Sequence, residues 1–202
     1  MTSNYRIGTG ISEVTDETFG LQMQGFADDS QKTAGVETPL FSRAFIVEPG
    51  QGPGKPVVIV SADIWAATSV IKQEVVKRLQ EKFGTLYTND NVLISGTHTH
   101  SAPGNYAGYN IYDLTGDGFD EYNYEYIVSG IVTSIQKAHN NIGPGNIYLN
   151  KGYIEDCGRN RSLGAYLNNP QSERDRYPNS DTDKEMLLLK FTRQDSGEHR
   201  RG

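Results

Sequence analysis

The feature that most restricts the fold is an apolar run followed by an amphipathic helix in the first half of the chain. Val57–Ser61 (VVIVS) is apolar almost throughout, which predicts a strand buried on both faces. From Ile71 to Phe83 an apolar residue stands at every fourth position, as on the buried stripe of a helix. Thr68 or Ser69 suits the N-cap, and Gly84 stands where such a helix should end.

Further segments of the chain carry similar patterns and extend this succession. We predict a strand entering the sheet at Ile7–Gly10, strands at Arg43–Val47, Val92–Ser95 (a short buried strand), Asn146–Asn150 and Glu185–Thr192, and a helix at about Asp120–His139. Strands alternating with helices favour an α/β fold of mixed α+β layers. The segment Gly158–Asp183 has neither period, and an aperiodic stretch of that length is usually functional or disordered.

Composition excludes several classes of protein. The 202 residues carry 19 Lys and Arg against 25 Asp and Glu, a formal charge of -6, which argues against binding nucleic acid. No apolar run approaches the roughly 20 residues that span a bilayer, so no transmembrane segment is expected. The single cysteine, Cys157, cannot form an intrachain disulfide. The first residues lack the basic start and apolar stretch of a secretory signal peptide.

Two histidines, His98 and His100, follow the strand Val92–Ser95 almost directly. Side chains at i and i+2 of an extended backbone share a face, so both imidazoles are expected to project from the carboxyl end of that strand. Imidazoles suit Zn²⁺, and a catalytic zinc takes three or more protein ligands. Hydrogen bonding to loop backbone is the alternative, and spacing alone leaves both open. The remaining histidines do not complete a site, because His139 closes a predicted helix and His199 lies in the polar tail.

Six motifs, in order along the chain, resemble those of the neutral/alkaline non-lysosomal ceramidases. They are Phe41–Ile46 (FSRAFI), Ser61–Ile64 (SADI), Asn91–Gly104 (NVLISGTHTHSAPG), Asn160–Ser162 (NRS), Tyr166–Arg174 (YLNNPQSER) and Thr182–Met186 (TDKEM). The resemblance extends from about Tyr5 to Thr192, which is nearly the whole chain.

The resemblance implies a zinc-dependent amidase that cleaves the N-acyl bond of ceramide to sphingosine and a fatty acid. It implies that His98 is a zinc ligand and that His100 is a catalytic pocket residue that orients the water or the ligand shell. Arg161 of the NRS motif is expected to face the substrate or order the wall of the active site, with a structural salt bridge as the alternative. A structural Ca²⁺ or Mg²⁺ would take a main-chain carbonyl from Val36–Thr38, and Glu37 is the expected residue.

Two further expectations concern the surroundings of the histidines. Asp63 follows the predicted strand Val57–Ser61 and could support the metal site, or serve a buried hydrogen-bonding role. Six tyrosines between Tyr106 and Tyr126 could wall a pocket for an acyl chain, since ligand pockets are mostly apolar and aromatic. Tyrosines half-buried around a loop and a helix would give the same pattern.

The resemblance also implies that the site is incomplete. The family's other zinc ligands, a second His followed by a Glu and a Tyr, lie beyond the match, as do a proposed catalytic serine and an immunoglobulin-like domain. Residues 1–192 are therefore expected to be the N-terminal portion of the catalytic domain, and residues 193–202 a polar, frayed tail. The chain alone is expected to be inactive and to bind zinc weakly. Its missing partner would be the C-terminal part of the same enzyme.

Two functions from different classes follow from the sequence. The first is a ceramide hydrolase of which the chain is the N-terminal part. The second is a non-catalytic fragment or lipid-binding module without a complete metal site. The resemblance further implies a secreted or membrane-associated protein, although no signal peptide is visible in this chain.

Overall fold

A computed structural model describes residues 5–16, 19–26, 28, 30–52, 54–113, 118–177 and 180–194. The strands are β1 (Tyr5–Glu13), β2 (Phe41–Pro49), β3 (Val57–Ala62), β4 (Val92–Gly96), β5 (Gly143–Tyr153) and β6 (Glu185–Arg193). The helices are α1 (Ser69–Phe83), α2 (Asn110–Asp113), α3 (Glu121–Asn140), α4 (Leu163–Leu167) and α5 (Gln171–Arg174), with a 3-10 turn at Gly84–Leu86. The strand order is β4-β3-β2-β1-β5-β6. The chain divides into two compact units, Ile147–Thr192 forming the second. In the first unit, β1 pairs antiparallel with β2 and β2 antiparallel with β3, whereas β3 and β4 are parallel.

The core of the first unit lies between the sheet and the helices α1 and α3. α1 connects the parallel strands β3 and β4, as a crossover helix must. Its Ile71, Val75 and Leu79 are buried together with Ile131 and Ile135 of α3. Within the described part of the chain, no helix is long and apolar enough to cross a bilayer.

α3 packs unusually close to β1 because β1 has glycines where the helix crosses it. A Cβ atom at Gly8 would lie 2.1 Å from the carbonyl oxygen of Ala138, and one at Gly10 would lie 2.1 Å from that of Ser134. These two positions therefore have room for hydrogen only, and they set the distance between the helix and the sheet.

Sequence patterns predicted both long helices correctly. α1 begins after Thr68 and ends at Gly84, which has φ 61°, the left-handed value that glycine tolerates. α3 begins after Asp120, whose side chain accepts a hydrogen bond from the Asn123 amide. All six segments predicted as strands are strands, and two of them, β1 and β5, extend well beyond their predicted bounds.

The predicted burial of two strands was wrong. Val58, Val60 and Ala62 of β3 are buried, but Val57 is 41% exposed, so β3 is buried on one face only. Leu93 of β4 is 53% exposed. The helices α1 and α3 pack on the face that carries Val58, Val60 and Ala62, so Val57 and Leu93 lie on the opposite face, which apolar content alone does not indicate.

The second unit consists of the outer part of β5, the short helices α4 and α5, and β6 up to Thr192. The segment predicted to be aperiodic holds both short helices and the turns that join them. The Ile154 amide donates to the Lys184 carbonyl oxygen at 2.9 Å, and Lys151 forms an ion pair with Glu185 at 2.5 Å. Most of the predicted tail, residues 195–202, and the first four residues lie outside the described part, and the predicted domain boundaries stay predictions.

Candidate functional site

The loops that follow β3 and β4 meet at one edge of the sheet. The parallel register pairs Ala62 with Gly96, so both strands end side by side. The Thr97 amide donates to the Ala62 carbonyl oxygen at 2.9 Å, and the His98 amide donates to the Ile64 carbonyl oxygen at 3.1 Å. Main-chain hydrogen bonds therefore hold the histidine loop against the loop after β3.

His98 and His100 are neighbours, but not for the reason that the sequence suggested. β4 ends at Gly96, and His98 has φ 63° in the left-handed region, so the expected extended backbone is wrong here. The backbone turns here because the Thr97 and His98 amides both donate to main-chain carbonyls at the end of β3 and in the loop after it. The two imidazole rings nevertheless lie 4.9 Å apart, edge to face at 82°. A non-glycine residue in this conformation is strained, and such strain is concentrated at functional sites.

The hydrogen bond of His98 determines which of its ring nitrogens is free. Its Nδ1 lies 2.9 Å from the main-chain carbonyl oxygen of Trp65. A carbonyl oxygen can only accept, so Nδ1 carries the proton, and the lone pair of a neutral ring is on Nε2. The side chain is exposed. This is the arrangement of a metal-binding histidine, whose other nitrogen donates to a carbonyl or carboxylate.

His100 is half-buried and packs against Gly25. Gly25 has φ 80°, and a Cβ atom there would lie 2.4 Å from both Cε1 and Nδ1 of the imidazole. Only glycine satisfies both the backbone conformation and the close approach. Gly25 therefore allows the segment between β1 and β2 to approach His100 closely.

A cavity of ≈ 670 Å³ opens beside the histidine loop. Glu37 and Thr38 line one side of it, and Thr99 and Ser101 of the histidine motif line another. The structure thus brings the segment predicted to offer a main-chain carbonyl to Ca²⁺ or Mg²⁺ next to the histidine loop. Glu37 itself is exposed, and its role stays a prediction.

Asp63 serves a hydrogen-bonding role. Its Oδ2 accepts from the Phe41 amide at 3.0 Å and from the Arg43 guanidinium at 2.9 Å. The carboxylate is thus engaged with β2.

The tyrosines that follow the motif are divided between core and surface. Tyr106 is 1% exposed and belongs to the core, whereas Tyr109 and Tyr112 are about half exposed. Tyr124 lines a cavity of ≈ 480 Å³ together with Val70 and Phe119. Of the tyrosines expected around an acyl-chain pocket, Tyr124 is the one found lining this cavity among the described residues.

Arg161 lies in the second unit, in a turn before α4, and is exposed. Asn160 fixes that turn, because its Oδ1 accepts from the Ser162 amide at 2.9 Å and its Nδ2 donates to the Asp181 carbonyl oxygen at 3.2 Å. Among the described residues Arg161 has no salt-bridge partner. Its part in catalysis or substrate binding stays a prediction.

The donor chemistry of the site suits zinc, but the number of donors falls short. Over the described ranges, no group of three or more His, Cys, Asp or Glu side chains is placed to hold a metal ion. His98 and His100 are the two imidazoles at the site, and a catalytic zinc needs at least three protein ligands. His139, as expected, is elsewhere: its Nδ1 lies 2.8 Å from the Tyr87 hydroxyl. This chain can supply part of a zinc site.

Sequence reasoning missed the two residues that orient the histidines, Trp65 and Gly25. Trp65 is the only tryptophan of the chain, and it follows a strand whose end was already expected at the site. That position was a usable signal, since loops after neighbouring parallel strands meet. Gly25 gave no comparable signal, because its role depends on a contact with a residue 75 positions away.

Comparisons with known proteins agree with the motifs. The profile of the neutral/alkaline non-lysosomal ceramidase family, N-terminal part, matches residues 5–202. A neutral ceramidase of Oryza sativa is 44% identical over 96% of this chain, and one of Drosophila melanogaster is 38% identical over 95%. The crystal structure of neutral ceramidase from Pseudomonas aeruginosa superposes with a TM-score of 0.88 at 34% identity, over 95% of this chain and 30% of that one. The chain spans about a quarter of the length of the curated relatives it matches (24% of the rice protein).

Proposed function

The chain belongs to the neutral/alkaline non-lysosomal ceramidase family, and from this we propose that it forms the N-terminal part of a zinc-dependent ceramide amidase. One observation carries the zinc proposal: Nε2 of His98 is left free by the hydrogen bond to Trp65, next to the imidazole of His100. The reaction would add water to the amide carbonyl and break the C–N bond, giving a fatty acid and sphingosine.

In this proposal His98 binds zinc through Nε2, and His100 orients the attacking water or the ligand shell. A bound zinc ion would polarise the substrate carbonyl and lower the pKa of the attacking water. Arg161 would bind the substrate or order the wall of the site. A main-chain carbonyl at Glu37 would bind a structural Ca²⁺ or Mg²⁺, whose preferred ligands are oxygens. By family, we also propose a secreted or membrane-associated protein.

A second candidate is a non-catalytic fragment or lipid-binding module. The shortage of metal ligands within the described residues favours it for the chain as it stands. The two candidates share this structure and differ in whether further polypeptide completes the metal site. We expect no ceramide turnover and weak zinc binding from this chain without further polypeptide.

Zinc titration of the ¹⁵N-labelled chain, followed by NMR of the imidazole nitrogens, tests the proposed site. We expect Zn²⁺ to shift the resonances of His98 and His100 and to leave His139 unchanged. His98→Ala should weaken zinc binding by at least about 10-fold, the effect of losing a ligand or an outer-shell partner.

His139→Gln is the matched control, since it removes an imidazole that is bonded to Tyr87 and lies apart from the site. Zinc binding that survives His98→Ala unchanged would refute the role of His98. Ceramide turnover by the isolated chain would refute the claim that the site is only partly present.

A further inference from the structure

His98 depends on the Trp65 carbonyl for its orientation, so whatever holds that carbonyl affects the site. The carbonyl belongs to the peptide group between Trp65 and Ala66. The nitrogen of this same peptide group, the Ala66 amide, donates a hydrogen bond to the phenolic oxygen of Tyr106 at 3.2 Å. One planar peptide therefore joins the tyrosine to the histidine.

Tyr106 is well placed to act as a fixed support. Its side chain is 1% exposed and packs in the core. The preceding residues are fastened to the start of α3: Asn123 Nδ2 donates to the Gly104 carbonyl oxygen at 2.7 Å, and the Asp120 amide donates to the Asn105 carbonyl oxygen at 2.6 Å. A phenol held in this way cannot follow the Ala66 amide if the loop moves.

We propose that Tyr106 is a positioning residue for His98. Its buried phenol fixes the Trp65–Ala66 peptide, and that peptide keeps the proton of His98 on Nδ1 and leaves Nε2 free for metal. The value of this arrangement for zinc binding rests on the proposed function. The effect on the histidine tautomer is independent of the proposed function.

The test is Tyr106→Phe, which removes one hydroxyl and keeps the ring that packs in the core. Its matched control is Tyr87→Phe. Tyr87 is also fully buried, but its hydroxyl is hydrogen-bonded to His139, away from the site. Both variants lose one buried phenolic hydrogen bond, so a general loss of stability affects them alike.

The first readout is the tautomer of His98 in the metal-free chain at alkaline pH, where imidazoles are neutral. Multiple-bond ¹H–¹⁵N correlation spectra distinguish the two tautomers, and His98→Asn assigns the signal. We expect the Nδ1–H form to predominate in the wild type and in Tyr87→Phe, and to lose population to the Nε2–H form in Tyr106→Phe. An unchanged tautomer in Tyr106→Phe overturns the positioning role, whatever zinc does.

The second readout is zinc affinity in the same three proteins. We expect Tyr106→Phe to weaken it by about 10-fold, the low end of what outer-shell partners contribute, and Tyr87→Phe to leave it unchanged. If the tautomer shifts but zinc perturbs no histidine in any of the proteins, the proposed function fails and the positioning role stands.

Amide hydrogen exchange of the wild type covers the case in which Tyr106→Phe does not fold. The Ala66 amide should exchange as slowly as amides of β3, because its acceptor is buried. Exchange at the rate of an unprotected loop amide would overturn the proposal.

Discussion

Gly10→Ala should destabilise the protein strongly, although it adds a single methyl group to a strand. The new Cβ would lie 2.1 Å from the Ser134 carbonyl oxygen and 2.6 Å from the Ala138 amide nitrogen. Both are backbone atoms of α3, so no side chain can rotate away to make room. Heavy atoms in ordinary contact lie about 3.5 Å apart, so the helix must retreat by about 1 Å or more.

The cost follows from what that retreat does to the core. Overpacking typically costs about 1–3 kcal/mol, and a gap of 0.5–1 Å forfeits about a quarter to a half of each dispersion contact. The unfolded state of an alanine variant is less flexible, which offsets about 0.4–1 kcal/mol. Because the clash is with backbone atoms, the upper part of the overpacking range applies, and we expect a net loss of about 2 kcal/mol in the free energy of unfolding.

Urea unfolding monitored by circular dichroism measures this loss, with Gly152→Ala as the control. Gly152 also lies in a strand, and a Cβ atom there would meet no heavy atom within 4 Å. The control should change stability by less than about 1 kcal/mol. If Gly10→Ala loses no more stability than Gly152→Ala, the glycines of β1 are not what allows α3 to approach that strand closely.

Three further predictions concern pH, charge and the site. Burial raises the pKa of Tyr87 and of Tyr106 to about 12, above the unfolded value of about 10, so each neutral phenol stabilises the fold fully below about pH 10. That stabilisation, at most about 2–3 kcal/mol for Tyr106 and less for Tyr87, is lost as pH rises towards 12, and urea unfolding at about pH 9 and about pH 11.5 should show the difference. Arg78 pairs with Glu74 and Glu125 and holds the pKa of both carboxylates below the usual value. Arg78→Met should therefore cost at most about 1 kcal/mol at neutral pH, less in high salt, and nothing once acid protonates both carboxylates. Equal losses at about pH 7 and below about pH 3 would contradict this. Gly96→Ala places a Cβ 2.7 Å from the Ile64 carbonyl oxygen and should separate the two loops of the site. We expect it to weaken zinc binding several-fold in the zinc titration described above, and an affinity equal to that of the wild type would contradict this.

The parts of the fold that were predicted correctly have local causes. α1 could be read from its apolar spacing, from the residue before it and from Gly84 after it, because capping and periodicity act within a few residues. The exposure of Leu93 could not be read in this way. It depends on which face of the sheet the helices α1 and α3 cover, which is a property of the tertiary packing.

The site was predictable in composition but not in geometry. The motif correctly indicated that His98 and His100 lie together, yet the left-handed backbone of His98 depends on hydrogen bonds to residues more than 30 positions earlier. The ring nitrogen that is free depends on Trp65 in the same way. Neither contact leaves a pattern within the motif itself.

The orientation of His98 is a property of strand and loop packing within the first unit. Its amide and its ring both bond to main-chain carbonyls of the loop after β3, and Gly96 leaves the space for that loop to approach. Main-chain partners do not rotate as side chains do, so the histidine is oriented before any ion arrives. Such preorganisation lowers the entropy that metal binding must offset. The proposed ligand His98 therefore has a fixed orientation without the rest of the proposed ligand set, and the tautomer of His98 in the metal-free chain is the direct measure of it.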